Sequence, residues 1–550
     1  MKASSRIWLA TMAIAALVAQ SAWAGAPGGP ANLRVNRRAV PRDVQRRAAQ
    51  LLEDVRGTEG APGWETAQLG EEVYAFYRPD VRGVAYYEFA VAPAGFIVVA
   101  TGAHDYPIPH WSFTGKSIAS QLLQGAVAKG KTASRLYKLD ALSYAAETAD
   151  GGLASQLGNL PMRLEGLHAS MIGKVRSADS DAAEAAGGEV EAARRGRLSR
   201  YSDLRTADLE IAPWASFSEM KANYSRSFGV LAESLRQEAA ASWRSEKAER
   251  EHGRALRPGQ DNVVALLGAH PTVSTYGAGA AKVSVAARER RGLPPVLVVR
   301  PAADSARATT FGVTVSYRGG SSENITFFVP DRNFAAASSW GPWTYYWAGS
   351  SGHQRDYYQF TVDGCASGCG ATAWAMLFGW ADHQANLGNS YWAARWGLYR
   401  SGGGYGADAD APASQDAGIR AITLEIRDYI GTFCASGQGA TTPWDMSDAD
   451  QYLSGRTGAT LDTHYNSVGI SESRLREYAR NAIRDRGTPA IIGTGWLEHY
   501  PLAWGYGWQS QETWTGTEYN RWFYVNNGWS GTSGDGWVSA STWYAGEIYP

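Results

Sequence analysis

The stretch GCGATAWAMLFGWA, residues 368–381, decides most of the fold prediction for this chain. Its apolar residues recur at intervals of three and four, which predicts a helix with one buried face. Cys369 stands at the first turn of that helix, between Gly368 and Gly370. We therefore expect a buried helix whose N-terminus, with its positive dipole end, directs a thiol towards a cleft.

A second informative stretch lies downstream, where His499 precedes the alternating residues 501–507, which predict a β-strand. Residues 522–525 predict the return strand of a hairpin, and the polar residues 509–520 predict its tip. The return strand ends at the pair of asparagines at 526–527. We therefore expect one of these asparagines to lie beside the histidine.

These residue types in this order indicate nucleophilic catalysis by a cysteine. A thiol at a helix N-terminus beside an imidazole has a lowered pKa, and its thiolate is the nucleophile. His499 would be the base, held in one tautomer by the amide of Asn527, or of Asn526 if the register shifts by one. The main-chain N–H of Cys369, exposed between two glycines, would bind an oxyanion. Trp529 would shield the contact between histidine and asparagine from water.

Three parts of the chain resemble known cysteine proteases. Residues 499–507 with 524–529, YVNNGW, resemble the papain-type block His…Gly-Tyr-Gly…Lys-Asn-Ser-Trp. Residues 368–373, GCGATA, are similar to the streptopain family, whose nucleophile lies in a Gly-Cys-x-Ala-Thr-Ala setting. The segments 95–99 and 107–112 resemble the inhibitory pro-domain of that family. The resemblance covers roughly residues 70–130 and 355–550 of this sequence.

The resemblance implies a secreted cysteine endopeptidase that is made as a zymogen and inhibited by its own pro-domain. It implies an α+β fold, in which a papain-like domain combines a helix bearing Cys369 with an antiparallel sheet bearing His499 and Asn527. Papain-like enzymes place an oxyanion-binding glutamine six residues before the nucleophile, where this chain has Asp363. Gln359 is the expected substitute, and a negative Asp363 should point away from the oxyanion.

The three cysteines are Cys365, Cys369 and Cys434. An odd number in an exported protein suggests one disulfide and one free thiol. Papain-like enzymes have a disulfide just before the nucleophile, and this resemblance implies the pairing Cys365–Cys434. Closing a loop of that size would stabilise the fold by roughly 4 kcal/mol on the chain-entropy model.

Composition and charge patterns suggest four parts. Residues 1–24 read as a signal peptide, with a positive start, a short apolar run and an Ala-x-Ala site, which predicts a secreted protein, extracellular or periplasmic. Residues 25–225 would form the inhibitory α+β pro-domain, beginning with a mobile arm up to about residue 45. Residues 226–335 would form a helix and a β-rich linker domain of unknown role. Residues 336–550 would be the catalytic domain, and they hold 16 of the 22 tryptophans.

Several classes of partner are not indicated by the sequence. The net charge of −1 favours neither nucleic acid nor an anionic membrane surface. After residue 24 there is no apolar stretch long enough to cross a membrane. The cysteines lack the spacing of a zinc site, and the acidic loops lack that of an EF-hand, so we expect no metal and no cofactor. We expect the protein to be a monomer. Its expected partner is a protein or peptide substrate.

Two other functions fit the same residues. One is a cell-wall amidase or transglutaminase-like enzyme that also uses a cysteine and a histidine. The other is a binding protein of the same fold without turnover. The asparagine after His499 argues against the first, because those enzymes often use another orienting residue. The intact set of Cys369, His499 and Asn527 argues against the second.

Overall fold

The computed structural model describes most of three regions of the chain. We call residues 33–155 the N-terminal region, 253–329 the middle region and 341–549 the C-terminal region. The structure does not describe the following residues: 1–32, 79–80, 139–140, 143, 150–152, 156–252, 257, 304–308, 330–340, 350–353, 363–364, 396–416, 436–437, 442, 444, 455, 466–471, 495–498, 514–515, 529–534, 540–541 and 550. The predicted signal peptide and the stretch that would join the last two predicted domains therefore lie outside the described residues.

The described helices are α1 (Arg42–Val55), α2 (Ile118–Ala128), α3 (Cys369–Asn386), α4 (Ser390–Arg395), α5 (Ala417–Tyr429), α6 (Ala449–Leu453) and α7 (Glu472–Asn481). Shorter helical turns lie at Arg37–Ala39, Ala278–Lys282, Asp445–Asp448 and Ala482–Arg486.

The described strands of the N-terminal region are β1 (Arg34–Val35), β2 (Gln68–Tyr77), β3 (Val84–Ala92), β4 (Phe96–Ala100), β5 (His110–Ser112), β6 (Ala133–Lys138), β7 (Tyr144–Thr148) and β8 (Leu153–Ser155). Those of the middle region are β9 (Arg254–Ala255), β10 (Asn262–Ala265), β11 (Pro271–Tyr276), β12 (Val283–Arg290), β13 (Leu293–Pro301), β14 (Thr309–Tyr317) and β15 (Ser322–Val329). Those of the C-terminal region are β16 (Thr344–Trp347), β17 (Thr361–Val362), β18 (Cys365–Ala366), β19 (Phe433–Ala435), β20 (Gln438–Ala440), β21 (Thr460–Tyr465), β22 (Ala490–Thr494), β23 (Leu502–Thr513), β24 (Gly516–Asn526), β25 (Gly536–Val538) and β26 (Thr542–Tyr549).

One sheet of 15 strands runs through the N-terminal and C-terminal regions. Its order is β21-β26-β22-β23-β24-β25-β5-β4-β3-β2-β6-β7-β8, with β1 beside β2 and β16 beside β23. The regions join where β25 pairs antiparallel with β5, so that Trp537 lies opposite Trp111 and Val538 opposite His110. The structure is mixed, with more strand than helix, which agrees with the expected α+β class.

The N-terminal region contains the elements that its periodicity predicts. The residue pattern predicts a short amphipathic helix from Arg46 to Val55 and strands near residues 72–77, 85–91 and 95–100. The structure has this helix within α1 and the strands as β2, β3 and β4. The predicted arm is wrong from residue 34 onward, because β1 pairs with β2 and a helical turn leads into α1. Pairing with a strand 40 residues away is a tertiary interaction that local composition does not report.

Two of the small sheets lie in the middle region, with orders β10-β13-β12 and β11-β14-β15-β9. Their facing sides share a core that includes Leu297, Phe311 and Phe327. Apolar runs predict strands at 295–299 and 325–329, and the run Gly-Gly-Ser-Ser predicts a turn at 319–322; all three are confirmed. The composition of residues 228–254 predicts a solvent-facing helix. This stretch lies outside the described residues except at its end, where Arg254 begins a strand instead.

The middle region is attached to helix α1 by charged side chains. Arg290 makes a two-pronged contact with the carboxylate of Glu53, at 2.7 and 2.8 Å. Arg46 of α1 makes an ion pair with Glu323. The N-terminal and middle regions are therefore held together by ionic contacts as well as by the chain itself.

The C-terminal region is built around α3. Periodicity predicted one buried face, but the structure buries nearly every residue of this helix, because α5 covers one side and strands β22 and β23 the other. The predicted hairpin is confirmed, but its tip is shorter than the predicted residues 509–520. The arms of β23 and β24 remain paired up to Thr513 opposite Gly516, since ladder hydrogen bonds extend through the polar residues.

Candidate active site

The N-terminus of α3 is shaped by glycine. Gly368 precedes the helix with φ of 105°, and a Cβ on it would lie 2.9 Å from Cγ2 of Thr432. A Cβ on Gly370 would lie 2.6 Å from Sδ of Met446. Gly368 has a left-handed backbone that favours glycine, and a Cβ on Gly370 would require the Met446 side chain to shift. Cys369 lies between them with its side chain partly exposed.

The body of the helix is anchored so that the position of Cys369 is well defined. Nε1 of Trp374 donates to the carbonyl of Met446 at 3.0 Å, and Phe378 stacks on Tyr452 at 5.7 Å. The hydroxyl of Thr372 donates to the carbonyl of Gly368 at 2.8 Å. The first turn is therefore tied to its own cap and to the neighbouring chain.

His499 is fixed by its main chain and by its ring. The N–H of Thr494 donates to the carbonyl of His499 at 3.0 Å, just before strand β23. Nε2 of the ring lies 2.8 Å from the main-chain carbonyl of Asn527. A carbonyl only accepts, so Nε2 carries the hydrogen and Nδ1 of the neutral ring is the basic nitrogen.

The imidazole of His499 is 6% exposed. Burial lowers its pKa to about 4, and the hydrogen bond to Asn527 opposes this shift. The folded chain described here therefore keeps the ring neutral near pH 7. A neutral ring can accept a proton at Nδ1, which is the state that a general base requires.

The loop after β24 lies against the first turns of α3. Gly528 has φ of 66°, and a Cβ on it would lie 3.0 Å from Cγ2 of Thr372. Its N–H donates to Oδ1 of Asn526 at 2.8 Å, and Nδ2 of Asn526 donates to the carbonyl of Arg355. Asn526, the alternative orienting residue, thus shapes the turn, while the His499 ring contacts Asn527. The contact is made by the main-chain carbonyl of Asn527, whereas the prediction assigned it to the side-chain amide.

Gln359 is connected to the same loop. Its main-chain N–H donates to the carbonyl of Gly528 at 3.1 Å. This hydrogen bond places Gln359 next to the residue that follows Asn527. The structure therefore brings Cys369, His499, Asn527 and Gln359 into one neighbourhood through the loop and the helix.

Tyr500 links the histidine to the other side of the site. Its hydroxyl donates to the carbonyl of Thr441 at 3.1 Å, and its ring meets Tyr544 edge-on at 5.3 Å. Burial is the main cause that raises its pKa well above the usual value, and the charges of Tyr544, Cys369 and Asp445 add to the shift. The thiol of Cys369 is therefore within electrostatic range of the residue next to His499.

Asp535 is a part of the site that sequence reasoning missed. It is 3% exposed, and its Oδ1 accepts a hydrogen bond from the main-chain N–H of Asn527 at 2.9 Å. Burial raises the pKa of this carboxyl well above its usual range, the hydrogen bond opposes the shift, and the nearby charge of Asp356 adds to it. An aspartate inside the glycine-rich run before Trp537 was the available signal.

Some of the predicted residues cannot be placed. Trp529 and Asp363 lie outside the described residues. The strands β18 and β19, which carry Cys365 and Cys434, are in contact, but these two side chains lie outside the description. The disulfide between them stays a prediction.

Comparison with protein-family models and with curated proteins gives no match to this chain. Among the residues that the structure describes, no group of three histidine, cysteine, aspartate or glutamate side chains is arranged to hold a metal ion. No helix in the described part of the chain is long and apolar enough to span a membrane.

Proposed function

We propose that this protein is a secreted cysteine endopeptidase with a papain-like catalytic domain, made as a zymogen. The observation that carries the proposal is the contact between His499 and Asn527, in a loop packed on the first turns of the helix that begins at Cys369. A thiol at a helix N-terminus, a histidine with a defined tautomer and a residue that orients it are the parts of a thiol protease site.

The reaction starts with proton transfer from the thiol of Cys369 to Nδ1 of His499. The thiolate attacks the carbonyl carbon of a peptide bond, and the oxyanion is bound by the main-chain N–H of Cys369 and the side-chain amide of Gln359. The imidazolium then gives its proton to the leaving amine, and a thioester remains on Cys369. His499 next takes a proton from water, and the resulting hydroxide attacks the thioester carbonyl. The carbon–sulfur bond breaks to release the free acid, and the imidazolium returns its proton to the sulfur of Cys369.

The zymogen part of the proposal is supported by one feature. The N-terminal region shares a sheet with the C-terminal region through β5 and β25. Removal of the residues before about 340 would leave the catalytic domain.

The test uses the purified full-length precursor beside its Cys369→Ala variant. We expect the wild-type chain to trim itself to a fragment of about the last 210 residues and to digest casein, and the variant to remain whole and inert. Peptide mapping after treatment with chloroacetamide should show alkylation at Cys369, with loss of activity in proportion. The double variant Cys365→Ser/Cys434→Ser, which keeps Cys369 as its one cysteine, checks that the alkylated thiol is the one assigned.

Other outcomes would favour the alternative functions. If neither protein cuts casein but the wild type releases fragments from peptidoglycan or joins an amine to a glutamine side chain, Cys369 serves another acyl transfer. If no reaction depends on Cys369, the chain is a binding protein. Either result overturns the endopeptidase proposal.

A further inference from the structure

Asp535 is a buried carboxyl group beside the candidate active site, and the role given to it below rests on the proposed function. Asp535 lies just before β25, nine-tenths or more buried, and far along the chain from Cys369. It makes no direct contribution to the mechanism given above. Its Oδ1 nevertheless accepts a hydrogen bond from the main-chain N–H of Asn527, the residue that contacts the ring of His499.

Two hydrogen bonds place Asn527 between a carboxyl group and an imidazole. The N–H of Asn527 donates to Oδ1 of Asp535 at 2.9 Å, and its carbonyl accepts from Nε2 of His499 at 2.8 Å. The two bonds fix the position of the residue from its two ends. Rotation of either peptide group would move the acceptor that orients the imidazole.

We propose that Asp535 is a positioning residue of the active site, which holds the carbonyl of Asn527 where it orients the ring of His499. This role requires an acceptor oxygen at the position of Oδ1 and does not require a negative charge. Burial of a carboxyl group lowers the stability of the fold unless the group forms hydrogen bonds. A shift of about 1 Å in a catalytic group can reduce a rate by roughly 100-fold.

The neighbouring contacts are consistent with a precise position. Gly536, the residue after Asp535, begins β25 and lies opposite Val525 of β24, so the chain there is held within the C-terminal region itself. On the other side, the turn at Gly528 is held by Asn526 and by Gln359. Asp535 is the side chain that connects these two fixed segments through Asn527.

The experiment compares Asp535→Asn, Asp535→Ala and Asp535→Ser, each made as the full-length precursor and assayed once the precursor has been processed. Asparagine keeps an acceptor oxygen at the same reach, so we expect its kcat within about threefold of wild type. Alanine removes the acceptor, and serine is one atom too short. Both should lower kcat by about 10- to 100-fold with little change in KM, because Asp535 touches no substrate.

A second readout follows the thiol rather than hydrolysis. The rate of alkylation of Cys369 by chloroacetamide is measured against pH in each variant. In wild type, a well-oriented imidazole should keep the thiol reactive at mildly acidic pH. In the alanine and serine variants, the alkylation profile should move towards the alkaline range of an ordinary thiol. A general loss of packing would lower the melting temperature without this change.

Glu547→Gln is the matched control. Glu547 is also a buried carboxyl of the C-terminal region, 1% exposed, and it pairs with Arg486 and Tyr549 on β26, away from the site. Its substitution should lower the melting temperature but leave kcat, KM and the alkylation profile unchanged.

The results separate the two proposals. If wild type cuts casein through Cys369 but the alanine and serine variants keep their kcat and alkylation profile, Asp535 has no positioning role. If the asparagine variant loses as much activity as the alanine variant, the assignment to an acceptor oxygen is wrong. If wild type itself shows neither hydrolysis nor an acid-shifted thiol, the proposed function fails first. Should the alanine variant not fold, the serine variant alone decides.

Discussion

Trp111 and Trp537 stack face to face, with ring centroids 5.9 Å apart and planes inclined by 24°. They belong to the strands β5 and β25, which pair with each other, and both side chains are fully buried. Nε1 of Trp537 also donates to the carbonyl of Gly60 at 2.7 Å. Parts of the chain more than 400 residues apart therefore share one sheet and one core.

Trp111→Ala should weaken this junction strongly. Truncation of a buried tryptophan costs about 3–5 kcal/mol, through lost burial and the cavity that remains. To test this, a site for a specific protease is inserted among residues 330–340 of the Cys369→Ala protein, and the chain is cut there. The two fragments of this parent protein should elute together on gel filtration. The halves of the Trp111→Ala protein should separate.

Val127→Ala is the control for this experiment, because Val127 is 54% exposed on α2 and its truncation should change little. Co-elution of the Trp111→Ala halves at micromolar concentration would show that the tryptophan stack does not hold the regions together.

Gly368→Ala should reduce both stability and activity. The backbone there is left-handed, and the added methyl group would contact Thr432 directly before the proposed nucleophile. We expect a loss of about 1–3 kcal/mol in the free energy of unfolding and a large fall in kcat. Urea denaturation and casein hydrolysis measure the two effects.

Substitution of Gly388, at the other end of α3, is the control that distinguishes backbone strain from steric crowding. Its φ is 79°, but a Cβ there would meet nothing within 4 Å. Gly388→Ala should therefore cost about 1 kcal/mol and leave kcat unchanged. Equal losses of activity in both variants would contradict a specific role for the cap of α3.

Acidification should destabilise the precursor through His499. Its pKa is about 4 in the folded chain and about 6.5 when unfolded. Between these values the unfolded chain binds more protons, so stability falls as the pH falls from 6.5 towards 4, by about 3 kcal/mol in full. Urea midpoints at pH 7.5 and 4.5 should differ less in Cys369→Ala/His499→Gln than in Cys369→Ala.

Glu88 changes the pH dependence of stability in the direction opposite to that of His499, so its contribution has to be measured separately. Burial raises its pKa to about 7, although Ile118 and Ala119 donate hydrogen bonds to it. The folded chain then binds more protons between pH 4.5 and 7, so this contribution is lost as the pH rises. Adding Glu88→Gln to the Cys369→Ala background should make the loss on acidification larger. Identical profiles with and without His499 would contradict the assignment.

The contact between Arg290 and Glu53 should couple the middle region to α1. The pair is bidentate and mostly shielded, with side chains 23% and 13% exposed. A double-mutant cycle with Arg290→Gln and Glu53→Gln should give a coupling energy of about 1 kcal/mol, reduced at high salt. Arg300→Gln, at a more exposed pair with Asp261, should show almost no effect. No coupling between Arg290 and Glu53 would mean that the middle region is held by other contacts.

The residue pattern was sufficient to predict the local elements that repeat with a clear period. The helix from Cys369 and the strands around residues 72–77, 85–91 and 325–329 follow from apolar spacing, since burial selects residues every 3.6 or every two positions. It also singled out Cys369, His499 and Asn527, because glycines and a hairpin mark their places.

The way in which these elements pack together depends on tertiary contacts. Pairing of β5 with β25, burial of α3 on all sides and the extension of the hairpin through polar residues depend on partners that are distant in the chain. The same holds for the site. Asn527 meets His499 through its main-chain carbonyl, and Asp535 holds its N–H, because every peptide group carries these atoms whatever its side chain. No residue pattern reports which peptide group will face a histidine.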